Sequence, residues 1–232
     1  MTRISPNSPA KDMGVLLALL AILIQCVPAF AQDPGRFEQE VASITARNDS
    51  LWNPYRATYL FTGSSSVRMW ESLDRDFPDR QVINTGFGGS QASDLLFYLD
   101  PLILNYRPMV VSIYEGDNDL AEGKSPGRAF RDIAEILSRI RSRYPGMPVV
   151  LISAKPSISR WKLRGKYERF NRKLSRLAEA DPLTRYADVW TPMLQADGSL
   201  NETLFIEDGL HMNAEGYRIW KSVLGPLIGQ SN

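Results

Sequence analysis

The chain has 232 residues, of which 44% are hydrophobic and 23% charged, a composition typical of one globular domain with a sizeable core. Its 27 basic and 26 acidic residues nearly cancel, so it lacks the positive surplus on which a dedicated nucleic-acid-binding protein depends. One Cys and one His exclude a zinc finger, an iron–sulfur cluster, an H-E-x-x-H metalloprotease and a disulfide framework. Any reaction that needs an imidazole base must therefore use His211.

Residues 1–31 have the pattern of a secretory signal peptide. Arg3 and Lys11 give a basic start, an uncharged apolar run follows over residues 14–24, and the A-x-A sequence at residues 29–31 is typical of a cleavage site. Cleavage behind this sequence would also remove the single cysteine. The sequence therefore predicts an exported protein, either periplasmic or extracellular.

Two alternatives to a cleaved signal peptide fit the same residues less well. A transmembrane anchor needs about 20 apolar residues, and the run over residues 14–24 is much shorter. A lipoprotein signal places a small residue before its cysteine, whereas Gln25 precedes Cys26. We therefore expect a mature protein that has no membrane anchor.

The rest of the chain predicts a helical extension over residues 32–56 and one α/β domain over residues 57–232. Strands are predicted at residues 59–62, 81–85, 109–114, 148–153 and 185–190. Helical or amphipathic segments are predicted at residues 36–47, 66–73, 91–105 with a break at Pro101, 126–143, 166–179 and 213–227. Because strands alternate with helices, we expect a flavodoxin-like three-layer α/β/α sandwich with about five parallel strands.

Four short blocks of small and polar residues follow predicted strands. They are G-S-S-S (63–66), G-F-G-G-S (86–90), E-G-D-N-D (115–119) and, before the last helix, D-G-L-H (208–211). Functional sites of open parallel sheets lie at the carboxyl ends of the strands. A serine, glycines, an asparagine and an Asp–His pair at such ends have the layout of a nucleophile, oxyanion donors and a base with its orienting group.

Each block also has a purely structural interpretation. Consecutive serines after a strand are common helix N-caps, and Gly88 and Gly89 could only permit a tight turn. Asn118 could be a turn residue, and a lone histidine such as His211 is often structural. The GFGG sequence could also belong to a dinucleotide-binding loop, but the G-x-G-x-x-G pattern fails at Gln91.

Taken together and in this order, the four blocks resemble the signature blocks of the SGNH/GDSL hydrolases, in particular secreted bacterial members. The resemblance implies that Ser65 is the nucleophile and that His211 is its base, oriented by Asp208. It also implies an oxyanion hole formed by the N–H of Ser65, the N–H of Gly89 and the side-chain amide of Asn118. The fold implied by the family is a parallel α/β/α sandwich.

The resemblance covers about residues 57–228 and has one clear departure. The aspartate of the usual G-D-S motif is Ser64 here, and Ser66 stands where an aliphatic residue is usual. Three adjacent serines are therefore candidates for the nucleophile. The spacing from Gly63 favours Ser65.

These residues predict an exported serine esterase that cleaves short-chain acyl esters through an acyl-enzyme. A serine hydroxyl needs a base, and a histidine held by a carboxylate supplies it, so no cofactor or metal is required. We expect a small-molecule or glycan ester as the substrate, with Trp161, Trp190 and residues 160–166 as candidates for lining the acyl or alcohol side. The alternatives are a catalytically inactive α/β module that binds glycans or other ligands, and a nucleotide-binding protein that rests on GFGG alone.

Overall fold

The structure is a computed structural model that describes Met1 and residues 33–229. The predicted signal peptide over residues 1–31 therefore lies outside the described residues, apart from Met1. Within the described part of the chain, five parallel strands form one sheet in the order β2-β1-β3-β4-β5. They are β1 (Thr58–Gly63), β2 (Gln81–Asn84), β3 (Val110–Tyr114), β4 (Val149–Ile152) and β5 (Thr184–Ala187).

Helices cover both faces of this sheet. The α-helices are α1 (Glu38–Leu51), α2 (Ser65–Arg68), α3 (Leu73–Asp76), α4 (Ala92–Phe97), α5 (Leu99–Leu102), α6 (Asp117–Ala121), α7 (Pro126–Arg143), α8 (Arg164–Ala180) and α9 (Ala214–Ile228). Short 3-10 helices lie at Pro34–Phe37, Leu104–Tyr106, Trp161–Leu163, Thr191–Met193 and Glu202–Leu204. The predicted α/β sandwich with about five parallel strands is confirmed.

The hydrophobic core divides into two clusters, one on each face of the sheet. β1, β3 and β4 are buried along their whole length, as expected of central parallel strands covered on both sides. Because side chains alternate between the faces, Leu60 joins the cluster under α1, α4, α7 and α8, whereas Phe61 joins the cluster under α9. The predicted apolar stripe of α7 contributes Ile133, Ile136 and Ile140 to the first cluster.

The structure differs from the prediction of one helix over residues 66–73. Two short helices, α2 and α3, stand there instead, because the chain turns at Trp70 to bury the indole ring against Phe61. The indole N–H donates a hydrogen bond to Asp76 Oδ2 at 2.8 Å, so the buried polar atom is satisfied by the second helix. Tertiary packing of a large aromatic ring overrides local helix propensity here.

The predicted break at Pro101 is also wrong. Pro101 lies inside α5, and the helices are separated at Tyr98 instead. A proline is tolerated there because the N–H groups of a first helical turn have no intrahelical acceptor. The last strand ends at Ala187 rather than at the predicted residue 190. It ends early because the chain turns at Asp188, whose carboxylate accepts a hydrogen bond from the N–H of Trp190.

Candidate active site

Ser65 lies where β1 meets α2, at the carboxyl edge of the sheet. Gly63 adopts a φ of +128°, and a Cβ atom at this position would lie 1.9 Å from the carbonyl oxygen of Tyr114, so a glycine is required for the turn. Ser64 and Ser66 are each only 2% exposed, whereas Ser65 is partly exposed. Of the three candidate serines, the structure therefore makes Ser65 the accessible one.

The structure brings Ser65, His211 and Asp208 together in one hydrogen-bond chain. His211 Nε2 lies 2.8 Å from Ser65 Oγ, and His211 Nδ1 lies 2.5 Å from Asp208 Oδ2. The second carboxylate oxygen of Asp208 accepts hydrogen bonds from the backbone N–H groups of Leu210 and His211, at 2.8 and 2.9 Å. This arrangement lets a serine hydroxyl lose its proton to an imidazole whose orientation is fixed by a carboxylate.

The Asp208 carboxylate is held in its ionised form. Partial burial by itself raises the pKa of this group, but the hydrogen bonds from the His211 ring and from the N–H groups of His211 and Leu210 outweigh burial and lower the pKa to about 2. An ionised Asp208 can therefore stabilise the imidazolium that forms when His211 takes a proton.

The loop that carries His211 is anchored on both sides of the histidine. The carbonyl oxygen of His211 accepts a hydrogen bond from Ile206 N at 2.9 Å, and the side chain of Asn213 caps α9 through the N–H groups of Glu215 and Gly216. Of the apolar residues before this loop, Leu204 and Phe205 are buried and pack inward, whereas Ile206 is 41% exposed. The imidazole thus stands on a short, well-supported segment.

The two other predicted oxyanion donors lie on a loop, Gly89, and on the first turn of α6, Asn118. Gly89 has a φ of +76°, and a Cβ atom there would meet nothing within 4 Å, so the loop borders open space. Asn118, near the start of α6, donates a hydrogen bond from Nδ2 to the carbonyl oxygen of Ser90 at 2.8 Å. The N–H of Phe87 donates to the carbonyl oxygen of Gly63 at 2.8 Å. This bond joins residues 86–90, the glycine loop, to the turn that precedes Ser65.

A buried carboxyl group, that of Glu115, forms a hydrogen bond with the glycine loop. Ser90 Oγ donates to Glu115 Oε1 at 2.6 Å, and Glu115 is only 1% exposed. Burial first, and then the nearby carboxylates of Asp119 and Asp94, raise the pKa of Glu115 well above its usual range, although Lys124 opposes this effect. Glu115, beside the loop that carries Gly89, therefore holds its proton more tightly than an ordinary glutamate does.

Sequence reasoning missed a network of charged residues behind Asn118. Asp117 Oδ1 accepts hydrogen bonds from Arg160 Nη1 at 2.6 Å and from the Tyr167 hydroxyl at 2.5 Å, and Lys155 Nζ lies 3.8 Å from Asp117 Oδ2. Burial opposes ionisation of Asp117, but the two cations keep its pKa below the usual value. One available signal was the position of K-P-S-I-S-R directly behind the fourth strand, at the same edge of the sheet.

A cavity of about 450 Å³ lies beside residues 206–213, the histidine loop that carries His211. Its lining residues are Ile158, Trp161, Gln195, Ser199, Leu200, Asn201, Glu202 and Thr203. The N–H of Ser159 donates to the carbonyl oxygen of Gly209 at 3.0 Å, so the cavity wall touches the segment between Asp208 and His211. Trp161 lines the cavity, whereas Trp190 is only 9% exposed and stacks behind Trp161 at a centroid distance of 6.0 Å.

Two negative findings apply to Met1 and residues 33–229. None of the helices there has the length and apolar character that a membrane span requires. In the same ranges, the His, Cys, Asp and Glu side chains form no group of three that could hold a metal ion.

A parallel α/β sandwich with a Ser–His–Asp hydrogen-bond chain at the carboxyl edge of its sheet has the arrangement of a serine hydrolase. Residues 43–219 match the model of the GDSL-like lipase/acylhydrolase family, and the chain belongs to this family. It is a carboxylic ester hydrolase. The resemblance found in the sequence is thereby confirmed.

Solved structures of other proteins have a similar fold. A Streptococcus pneumonia protein named for platelet activating factor is 20% identical with a TM-score of 0.72, over 84% of this chain and 95% of that one. A GDSL-like lipase from Bacteroides thetaiotaomicron is 21% identical with a TM-score of 0.68, over 84% and 97%. An acetylxylan esterase from Geobacillus stearothermophilus is 16% identical with a TM-score of 0.62, over 75% and 95%. A comparison with curated proteins found no match.

Proposed function

We propose that this protein hydrolyses esters through an acyl-enzyme on Ser65, with His211 as general base and Asp208 as the group that orients the imidazole. The observation that carries the proposal is the continuous hydrogen-bond chain from Ser65 Oγ through both ring nitrogens of His211 to the Asp208 carboxylate. The accessibility of Ser65 between two buried serines supports the same choice of nucleophile.

The chemistry follows in two half-reactions. In the first, Ser65 Oγ attacks the ester carbonyl carbon while its proton passes to His211 Nε2. The tetrahedral intermediate then collapses, and the leaving group takes that proton and departs as the alcohol. In the second, His211 removes a proton from water as the water attacks the acyl-serine, and returns this proton to Ser65 as the acid is released. One water is consumed for each ester cleaved.

The developing oxyanion is proposed to bind three donors. Ser65 is the first residue of α2, so its N–H has no intrahelical acceptor and is free for a ligand. Gly89 contributes a second N–H, and Asn118 has one amide hydrogen besides the one donated to Ser90. Each well-placed donor is worth about 3 kcal/mol of transition-state stabilisation in serine hydrolases where this was measured.

We propose a short acyl group, such as acetyl, as the preferred acyl part. Apart from Phe87, which is fully buried, the segments that follow the first three strands (63–66, 86–90 and 115–119) consist of small or polar residues. Long acyl chains need an apolar channel. For the alcohol part we propose a carbohydrate, bound in the cavity beside Gly209. Its lining of one partly buried tryptophan and several polar side chains suits a sugar ring, and a similar structure is named an acetylxylan esterase.

Hydrolysis of p-nitrophenyl esters from C2 to C12 tests the acyl preference. We expect kcat/KM to peak at C2–C4. A matching apolar channel would add up to about 0.8 kcal/mol, roughly fourfold, for each buried CH₂. A steady rise toward C10–C12 would therefore contradict a short-chain preference.

Trp161→Ala tests the carbohydrate subsite. We expect kcat/KM on acetylated xylo-oligosaccharides to fall about tenfold, which corresponds to ~1.4 kcal/mol, with little change on p-nitrophenyl acetate. Tyr55→Ala, which removes an aromatic ring that is exposed and does not line the cavity, is the control and leaves both substrates unaffected. Equal losses on both substrates would show that Trp161 does not bind the alcohol part.

We also propose that the protein is exported and that residues 1–31 are removed. Support comes from the basic start, the short apolar run and the A-x-A sequence described above. Mass spectrometry of the exported protein is expected to find Gln32 at its N-terminus, and Ala31→Phe is expected to block cleavage because the site needs a small residue. A mature chain that retains residues 14–24, or carries a lipid on Cys26, would contradict this proposal.

A further inference from the structure

Arg160 forms a hydrogen bond with Asn118, one of the three proposed oxyanion donors. One guanidinium nitrogen, Nη2, donates to Asn118 Oδ1 at 3.0 Å, and the other, Nη1, donates to Asp117 Oδ1 at 2.6 Å. The Arg160 side chain is 18% exposed, so both bonds are largely shielded from water. Such charge-assisted bonds are roughly twice as strong as bonds between neutral groups.

These bonds determine which way the Asn118 amide faces. Arg160 can only donate, and the carbonyl oxygen of Ser90 can only accept. The amide satisfies both neighbours only when Oδ1 faces the guanidinium and Nδ2 faces Ser90, the orientation observed. The second hydrogen on Nδ2 is then left for a ligand. A positive donor on the amide oxygen also polarises the amide and strengthens its N–H groups as donors.

The same network reaches the histidine loop. Lys155 is fully buried, and its Nζ donates to the carbonyl oxygen of Leu210 at 2.6 Å. Leu210 lies between Asp208 and His211 in the chain. Asp117 is therefore paired with two cations, Arg160, which bonds the Asn118 amide, and Lys155, which bonds the histidine loop.

We propose that Arg160 is a positioning residue for ester hydrolysis, which fixes and polarises the Asn118 amide so that its free N–H binds the oxyanion. The inference rests on the proposed function. Arg160 acts through Asn118 and not by binding substrate, because its two terminal nitrogens are already committed to Asp117 and Asn118. Removing Arg160 should therefore slow the chemical step and leave ground-state binding of the ester nearly unchanged.

A double-mutant cycle between Arg160→Met and Asn118→Ala tests this coupling, with p-nitrophenyl acetate as substrate. We expect Arg160→Met to lower kcat about 10- to 100-fold, less than complete loss of a donor, and to change KM less than threefold. In the Asn118→Ala background, Arg160→Met should change kcat less than about twofold, because the amide on which it acts is gone. Arg169→Met is the control and should keep native activity, because Arg169 is exposed on α8 and its Nε donates to the carbonyl oxygen of Gly165 in the same helix.

Full additivity of the two substitutions, or native kcat in Arg160→Met, would overturn the inference. If Arg160→Met does not fold, as judged by circular dichroism, Arg160→Lys replaces it in the cycle. A lysine keeps the charge beside Asp117 but lacks the planar guanidinium that bonds Asp117 and Asn118 together, so a partial loss of kcat is expected. In the Asn118→Ala background, Arg160→Lys should cause no further loss of kcat. A native chain that neither hydrolyses esters nor reacts with a fluorophosphonate would instead contradict the proposed function, and the inference with it.

Discussion

The Asp208 carboxylate holds His211 twice, through ring atom Nδ1 at 2.5 Å and through the backbone N–H at 2.9 Å. The two residues are three positions apart, so a single turn supplies both bonds. The turn fixes the tautomer that leaves Nε2 unprotonated toward Ser65, where it can accept a proton. Base and orienting group therefore form one local unit, to which the distant serine is brought by the fold.

Asp208→Asn should lower kcat by about 10²- to 10⁴-fold. The amide oxygen would stay on the backbone N–H groups of Leu210 and His211, so the NH2 group would face Nδ1 and favour the wrong tautomer, and a neutral amide stabilises the imidazolium poorly. The side chain of Asp208 is 43% exposed, so the melting temperature should change little. Asp74→Asn, a change of an exposed aspartate bonded to its own neighbour, is the control. Near-native turnover in Asp208→Asn would show that Asp208 does not orient the base.

Gly63→Ala should destabilise the protein by at least about 2 kcal/mol, because it combines positive-φ strain with a backbone overlap. The added Cβ would meet the carbonyl oxygen of Tyr114, which cannot move without disturbing β3. Gly123→Ala is the matched control, since Gly123 also has a positive φ but nothing within 4 Å of the added carbon. Urea denaturation that gives equal losses for both variants would mean that the close approach to Tyr114 is unimportant.

Glu115→Gln should change how stability depends on pH. The folded-state pKa of Glu115 is raised, so the native protein binds its proton more tightly than the unfolded chain does. Native stability should therefore fall as the pH rises through and above the ordinary glutamate value, and the glutamine variant should lack this part of the decline. The melting temperature of Glu115→Gln relative to the native chain is expected to increase from pH 4 to pH 8.

Glu179→Gln is the control for that comparison, because Glu179 is exposed on α8 and its substitution should leave the pH profile of the native protein unchanged. Parallel melting profiles for Glu115→Gln and the native chain would contradict a raised pKa of Glu115. Since Ser90 donates to this carboxyl group, a loss of kcat in Glu115→Gln would also indicate that the glycine loop depends on it.

Local sequence patterns were sufficient for the sheet and for the spacing of the site. Buried parallel strands form continuous apolar runs, and strand ends share one edge, so Ser65 and His211 could be expected to meet although 146 positions separate them. Local patterns failed where packing decided the outcome. The ring of Trp70, where the chain turns, packs against Tyr217 and Trp220 of α9 as well as against the nearby Phe61. Pro101 fits α5 because of its place in the first turn.

The charged network behind the site could not be predicted for the same reason. From the sequence alone, Asp117 is one member of the E-G-D-N-D block, and Arg160 belongs to a segment predicted only to line the acyl or alcohol side. Burial of Lys155 is not expected, because most lysines are exposed. Only the fold shows Lys155 fully buried and shows Arg160 on the Asn118 amide. Contacts of this kind join segments 42 to 55 positions apart and leave no periodic pattern in the sequence.

The most direct test of the central claim is covalent labelling with a fluorophosphonate, followed by mass spectrometric localisation of the adduct. We expect one adduct per chain on Ser65, loss of labelling and of ester hydrolysis in Ser65→Ala, and labelling retained in Ser64→Ala and Ser66→Ala. An adduct on Ser64 or Ser66 would contradict the assignment of the nucleophile. Absence of any adduct on the folded native chain would contradict serine catalysis and favour an inactive ligand-binding module.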